Sequence, residues 1–178
     1  MTDVVDSSGR VGSEPESFAL KPITRGAIPR ALEKAERYRL LNEPAQAESI
    51  CLDILAVDPD NQAAHVMLVL AMTDRFGSNG APSVHAVREY VSRLDDGYQR
   101  DYYDGLIRER DARARLARPM GTSSAYEGLR AAMTCYERAS ASSPVDNNEA
   151  ILQWNACVPT IREAHLQPRP AEAEQPLE

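Results

Sequence analysis

The chain has 178 residues with 27 acidic and 20 basic side chains, a net charge of −7. That length sets the expectation of one domain able to bury its own core, and the acidic balance argues against binding nucleic acid through its phosphates. Hydrophobic residues make up 43% but aromatics only 6%, so the core must be built from Leu, Ala, Val, Ile and Met, which suits helix packed on helix.

The start, Met1-Thr2-Asp3-Val4-Val5-Asp6, is acidic and lacks an apolar export segment. Residues 1–25 read as a disordered arm, with Ser7-Ser8-Gly9 and Gly12-Ser13-Glu14-Pro15. A helical domain is expected over 26–166. The first helix runs from about Ile28 to Leu41, with Leu32, Ala35 and Tyr38 on one stripe. Asn42-Glu43-Pro44 breaks it, and the second helix covers Ala45 to Val57 with Ala47, Ile50, Cys51, Ile54 and Leu55 at three- and four-residue spacing. The third, about Gln62 to Arg75, contains Val66-Met67-Leu68-Val69-Leu70-Ala71-Met72, apolar all round. It is too short for a membrane span and predicts a central helix with neighbours on both flanks.

Gly77-Ser78-Asn79-Gly80 is a loop, and the fourth helix covers about Pro82 to Leu94. The fifth, about Tyr98 to Ala117, spaces Asp104 and Arg108, Glu109 and Arg113, and Asp111 and Arg115 four apart, acid first, the favourable order for helix-surface ion pairs. Arg118-Pro119-Met120-Gly121 stops it, and Thr122, Ser123 or Ser124 caps a sixth helix over about Ala125 to Ser140. The seventh spans about Asn148 to His165, with Pro159 kinking or ending it. Residues 167–178 are Pro- and Glu-rich and read as a second disordered segment.

One spaced pattern occurs twice: Ala132, Tyr136, Ala139, Pro144 and Ala47, Cys51, Ile54, Pro59, each proline opening a short polar turn before another helix. Ala86 and Tyr90 form a partial third copy. The layout resembles the tetratricopeptide repeat (TPR) family over residues 28–165. The resemblance implies an all-α, short right-handed solenoid of about three antiparallel helix pairs with a closing C-terminal helix. It implies Ala47, Ala86 and Ala132 at close helix approaches, Tyr90 and Tyr136 as the gap-filling aromatics (Cys51 in place of one), and Pro59 and Pro144 as helix terminators. The family's tryptophan-leucine-glycine opening is missing, and the fifth helix exceeds the repeat length. On the same resemblance Leu32, Glu36 and Arg39 of the first helix and Val66, Leu70 and Thr73 of the third would line the concave face. They do not repeat the Lys and Asn pattern with which some members hold a partner's terminal carboxylate, so that activity is not carried over.

Tyr98, Tyr102, Tyr103 and Tyr126 concentrate aromatics near the fifth and sixth helices. Tyr beside Arg is the composition of binding hot spots; tyrosines filling the stack are the competing reading. Arg108, Arg110, Arg113, Arg115 and Arg118 read either as an anionic docking patch or as a solvated face neutralised by the interleaved acids. Trp154 reads as the anchor of the last helix. Cys51, Cys135 and Cys157 lie far apart, with no CxxC or CxxxH spacing, and read as buried reduced thiols of a cytoplasmic protein. His65, His85 and His165 read as surface or partly packed residues, with no metal-ligand spacing. No catalytic motif or cofactor fingerprint is visible.

The sequence therefore predicts a non-catalytic adaptor or assembly factor that holds a partner peptide or helix in a concave groove. Leu32, Glu36, Arg39, Val66, Leu70, Thr73, Tyr102 and Tyr103 are its candidate contacts. The expected partner is a protein or peptide, with no nucleic acid, membrane, metal or cofactor. The alternative is a permanent accessory subunit or a self-associating structural protein, and coverage of the third helix discriminates between them.

Overall fold

A computed structural model describes residues 18–118 and 121–169. The expectations for residues 1–17, Pro119-Met120 and 170–178 lie outside the described residues. Among the described residues seven α-helices follow one 3-10 turn at Arg25–Ala27: α1 (Ile28–Leu40), α2 (Pro44–Val57), α3 (Gln62–Asp74), α4 (Val84–Val91), α5 (Gly97–Leu116), α6 (Thr122–Ala141) and α7 (Glu149–Glu163). The protein is all-helical, with no strand among the described residues.

Local chemistry sets most of these boundaries. Pro29 and Pro44 lie in the first turns of α1 and α2, where a missing N–H costs nothing. Asn61, Ser83 and Asp96 cap α3, α4 and α5 by accepting from the backbone N–H of Ala64, Ala86 and Tyr98. Asn42 and Asp146 carry the positive φ of two turns, a conformation that short polar side chains tolerate.

Three boundaries differ from expectation. The Ser83 cap delays α4 to Val84, and the helix has only 8 residues. α6 starts three residues early, at Thr122, behind Gly121 and with no side-chain cap; Ser124 Oγ donates to the Gly121 carbonyl instead. Pro159 does not end α7, which continues to Glu163. Within that turn Arg113 donates to the Ala156 carbonyl.

Each helix packs on its neighbour in the chain, most extensively α5 on α6. The odd-numbered helices also touch in succession, α1 on α3, α3 on α5 and α5 on α7. One core cluster joins Ala35, Ala47, Cys51, Leu68, Val69, Met72, Val87 and Ile107. A second joins Ala112, Leu129, Ala132, Tyr136, Ala139 and Cys157, and a third groups Ile28, Ile54 and Ala64 with Ile23 and Leu32. Ala47, Cys51 and Ile54 in one copy of the spaced pattern, and Ala132, Tyr136 and Ala139 in the other, are all buried, whereas Ala86 is only half-buried.

The apolar run of α3 is covered on one side and partly open on the other. Leu68, Val69, Ala71 and Met72 are buried, and Val66, Met67 and Leu70 are half-buried. Each fully buried Leu or Val contributes about 1.5–3 kcal/mol, which makes α3 the centre of the first cluster.

The two longest helices, α5 and α6 with 20 residues each, come close together because Gly105 has no side chain. A Cβ there would lie 2.7 Å from Tyr136 Cε1 and 3.2 Å from Cys135 Cβ.

His65 corrects the sequence expectation. It is completely buried, with Nε2 2.8 Å from the Pro59 carbonyl and its ring 6.0 Å from that of Tyr90. His85 and His165 are exposed. All three cysteines are free and buried.

Candidate functional site

The eight candidate contacts lie on α1, α3 and α5, the three helices whose odd-numbered positions bring them into succession. On α1, Glu36 is exposed while Leu32 and Arg39 are half-buried. On α3, Val66 and Leu70 are half-buried and Thr73 is buried, 2% exposed. Thr73 Oγ1 donates to the Val69 carbonyl and accepts from Arg110 Nη1 at 2.7 Å. Its hydroxyl is thus used within the fold rather than offered to a ligand.

Asp74 at the end of α3 ties this surface together. Arg39 Nε of α1 donates to its Oδ2 at 2.7 Å, and Arg110 of α5 pairs with its Oδ1. Arg110 also donates to the Leu70 carbonyl at 3.2 Å. One carboxylate therefore joins α1, α3 and α5, with both arginines about a quarter exposed or less. Arg113 extends the series by donating to Thr160 Oγ1 at 2.6 Å and to the Ala156 carbonyl at 3.1 Å on α7. Charged hydrogen bonds of this kind are the stronger class. Asp74 lies four residues after Leu70 and eight after Val66, so helical spacing alone places it on their stripe. The sequence reading passed over it because its partners are 35 and 36 residues away in the chain.

The tyrosines divide between two cores. Tyr103 packs with Val66 and Tyr38 against the first cluster, and its phenol is pushed up to about 12, chiefly by burial. Tyr102 packs on the second cluster. Its ring is edge-on to Tyr103 at 5.1 Å, stacked on Tyr98 at 5.9 Å and tilted to Tyr136. Tyr98 is buried and Tyr126 half-buried. The structure therefore brings Tyr102 and Tyr103 together as wall-forming residues, each partly exposed.

The arginine-rich helix splits by face. Arg110 and Arg113 reach α3 and α7 as described, while Arg108 and Arg115 point to the opposite side. The three expected ion pairs form: Arg108 with Asp104 at 2.9 Å, Arg113 with Glu109 at 2.9 Å and Arg115 with Asp111 at 2.7 Å. Asp104 also takes Arg88 of α4 at 2.7 Å. Burial would raise its carboxyl, but the two guanidinium groups hold it below the ordinary carboxylate value.

Arg88, Arg108 and Arg115 line a cleft of about 670 Å³ between α4, α5 and α6, together with Asp111, Glu127 and Arg169. A smaller apolar cleft of about 390 Å³ lies between α6 and α7 beside Ile151 and Trp154. Trp154 packs on the second cluster and donates from its indole N–H to Glu137 at 3.0 Å. Among the described residues no group of three or more His, Cys, Asp or Glu side chains is disposed to hold a metal ion. No described helix is long and apolar enough to cross a membrane.

Comparisons with protein-family models, with curated proteins and with solved structures find no match for this chain.

Proposed function

We propose that this protein is a non-catalytic adaptor or assembly factor, built as a short TPR-like α-solenoid, that holds a partner peptide or helix along the odd-helix face. The observation that carries the reading is the succession α1, α3, α5, α7. Each odd helix contacts the next odd one, as the first helices of stacked hairpins do in a repeat array. The buried residues of both copies of the spaced pattern support the same architecture.

Leu32, Glu36, Val66, Leu70, Tyr102 and Tyr103 are the contacts of that face. Arg39 contributes flanking charge, and Thr73 acts indirectly by positioning Arg110. Half-buried apolar side chains on a face held rigid by the Arg39–Asp74–Arg110 series supply affinity with little ordering cost, and flanking charge supplies selectivity. Val66, Met67 and Leu70 stay half-buried, so one side of the α3 run is partly open, which suits the groove and equally the alternative, a permanent accessory subunit or a self-associating structural protein.

The test compares Leu70→Glu with Leu52→Glu, since Leu52 is already 44% exposed on α2. Proteins captured from the native host are identified by mass spectrometry with wild type and both variants at matched folding. Loss of the same partner with Leu70→Glu alone supports the groove. Equal retention by both variants removes it.

A further inference from the structure

We propose that the arginine cleft between α4, α5 and α6 docks an extended acidic segment, and that its resident occupant is residues 170–178 of this same chain. The inference is independent of the odd-helix groove, since the cleft lies on the opposite side of α5.

The cleft exists because the helices are unequal. α4 has 8 residues and α5 and α6 have 20 each, so α4 leaves part of the α5–α6 hairpin uncovered. The opening of about 670 Å³ is lined by Arg88, Arg108, Arg115 and Arg169. Three carboxylates stand against these four arginines. Asp104 is shared by Arg88 and Arg108 through their Nε atoms, Asp111 is taken by Arg115, and Glu127 also lines the cleft. The cleft thus carries an excess positive charge, in a chain whose net charge is −7. Guanidinium groups recognise carboxylates in a planar, directional way.

The chain itself delivers an acidic segment to this place. Leu166 is buried in the second cluster. Three residues later Arg169 lines the cleft, and its backbone N–H donates to Glu127 Oε1 at 3.4 Å. The next residues are Pro170-Ala171-Glu172-Ala173-Glu174-Gln175-Pro176-Leu177-Glu178, with three carboxylates and no basic group. Pro168 lies outside any helix, so the chain leaves α7 before it reaches the cleft. At about 3.3 Å per residue, Glu174 reaches roughly 16 Å from Arg169, whereas Arg108 and Arg115 are separated by only about 10 Å along α5. The tether is short, so docking within the chain competes at an effective concentration in the millimolar range.

The test uses the full chain carrying Arg115→Lys, which keeps the charge and supplies an amine. A water-soluble carbodiimide joins that amine to a carboxylate in contact with it, and the linked peptides are identified by mass spectrometry. Lys21 and Lys34, both exposed and neither lining the cleft, are internal controls. The expected result is a link from position 115 to Glu172 or Glu174 within one chain, about tenfold more abundant than links from Lys34 to the same residues. Its yield should be unchanged on dilution and should fall severalfold at about 0.5 M salt. Arg88→Lys places a second amine in the cleft and should give the same preference. Equal yields at position 115 and Lys34, no link from either introduced lysine, or links found only between two chains would overturn the proposal. The last outcome would assign the cleft to a neighbouring copy.

Discussion

The phenol of Tyr136 on α6 donates to Glu109 Oε2 on α5 at 2.7 Å, in the buried interior of the longest helix pair. Glu109 is 5% exposed, the most deeply buried charged residue described, and its other oxygen accepts from Arg113, which continues to α7. The same tyrosine ring occupies the space that a side chain at position 105 would need. One residue thus sets the spacing of α5 and α6 and satisfies a buried carboxylate that links α5 to α7.

Tyr136→Phe keeps the ring and removes the donor. A hydrogen bond to a buried charged group is worth about 1.5–3 kcal/mol, so the variant should lose that much in urea unfolding. The melting temperature should fall by roughly 2–4 °C per kcal/mol for a chain of this size. A loss below about 0.5 kcal/mol, the scale of an ordinary surface change, would show that the bond contributes nothing.

Gly105→Ala tests the close approach. Alanine improves helix propensity by about 1 kcal/mol over glycine, so the change would stabilise an open site. Here the new Cβ meets a ring pinned by its own hydrogen bond, and overpacking of this kind costs about 1–3 kcal/mol. The net effect should be destabilising. Gly97→Ala, at the first residue of α5 with no atom nearer than 3.7 Å, should be neutral or stabilising. Denaturant midpoints for the pair decide the matter, and equal shifts would contradict the packing account.

Thiol reactivity reports the interior. Burial pushes Cys51 and Cys157 up to about 12, and burial with the neighbouring Asp104 charge raises Cys135. A thiol with a pKa of about 12 is roughly one part in ten thousand ionised at pH 8, and the thiolate is the reactive form. The native protein should therefore react slowly with a disulfide reagent at pH 8, and all three thiols should react at once in denaturant. Rapid reaction of a native thiol would place it at the surface.

Asp104 makes stability depend on acid. Its folded value lies below its unfolded one, so its contribution is fully present above the unfolded value of about 3.9 and is lost as pH falls through the folded value. Asp104→Asn should lower stability by a constant amount between about pH 5 and 7, and the gap to wild type should narrow below about pH 4. A gap that stays constant down to pH 3 would mean that Arg88 and Arg108 do not hold the carboxylate ionised.

Much of the architecture was legible because helices are local objects. The apolar spacing of Leu32, Ala35 and Tyr38, the breaks at Pro44 and Asp58-Pro59, and the all-apolar run of α3 each predict an element or its burial within a few residues of chain. The Asp104–Arg108, Glu109–Arg113 and Asp111–Arg115 pairs were readable for the same reason, since helix geometry alone places residues four apart side by side. The capping of α6 was misread because three adjacent candidates, Thr122, Ser123 and Ser124, offer the same local chemistry. None of them serves as the cap, and the helix starts at Thr122 behind Gly121.

Of the candidate site, the sequence by itself determined which residues share a helix face: Leu32 with Glu36 and Arg39, and Val66 with Leu70 and Thr73. Only the tertiary structure decided that Asp74 receives Arg39 and Arg110, that Arg110 closes over Thr73, that His65 is buried against Pro59, and that Arg108 and Arg115 turn away to line a cleft. These outcomes depend on contacts between positions tens of residues apart, or on which side of a helix a neighbour covers. Helical periodicity fixes angles within one helix and carries no information about which helix lies across from it.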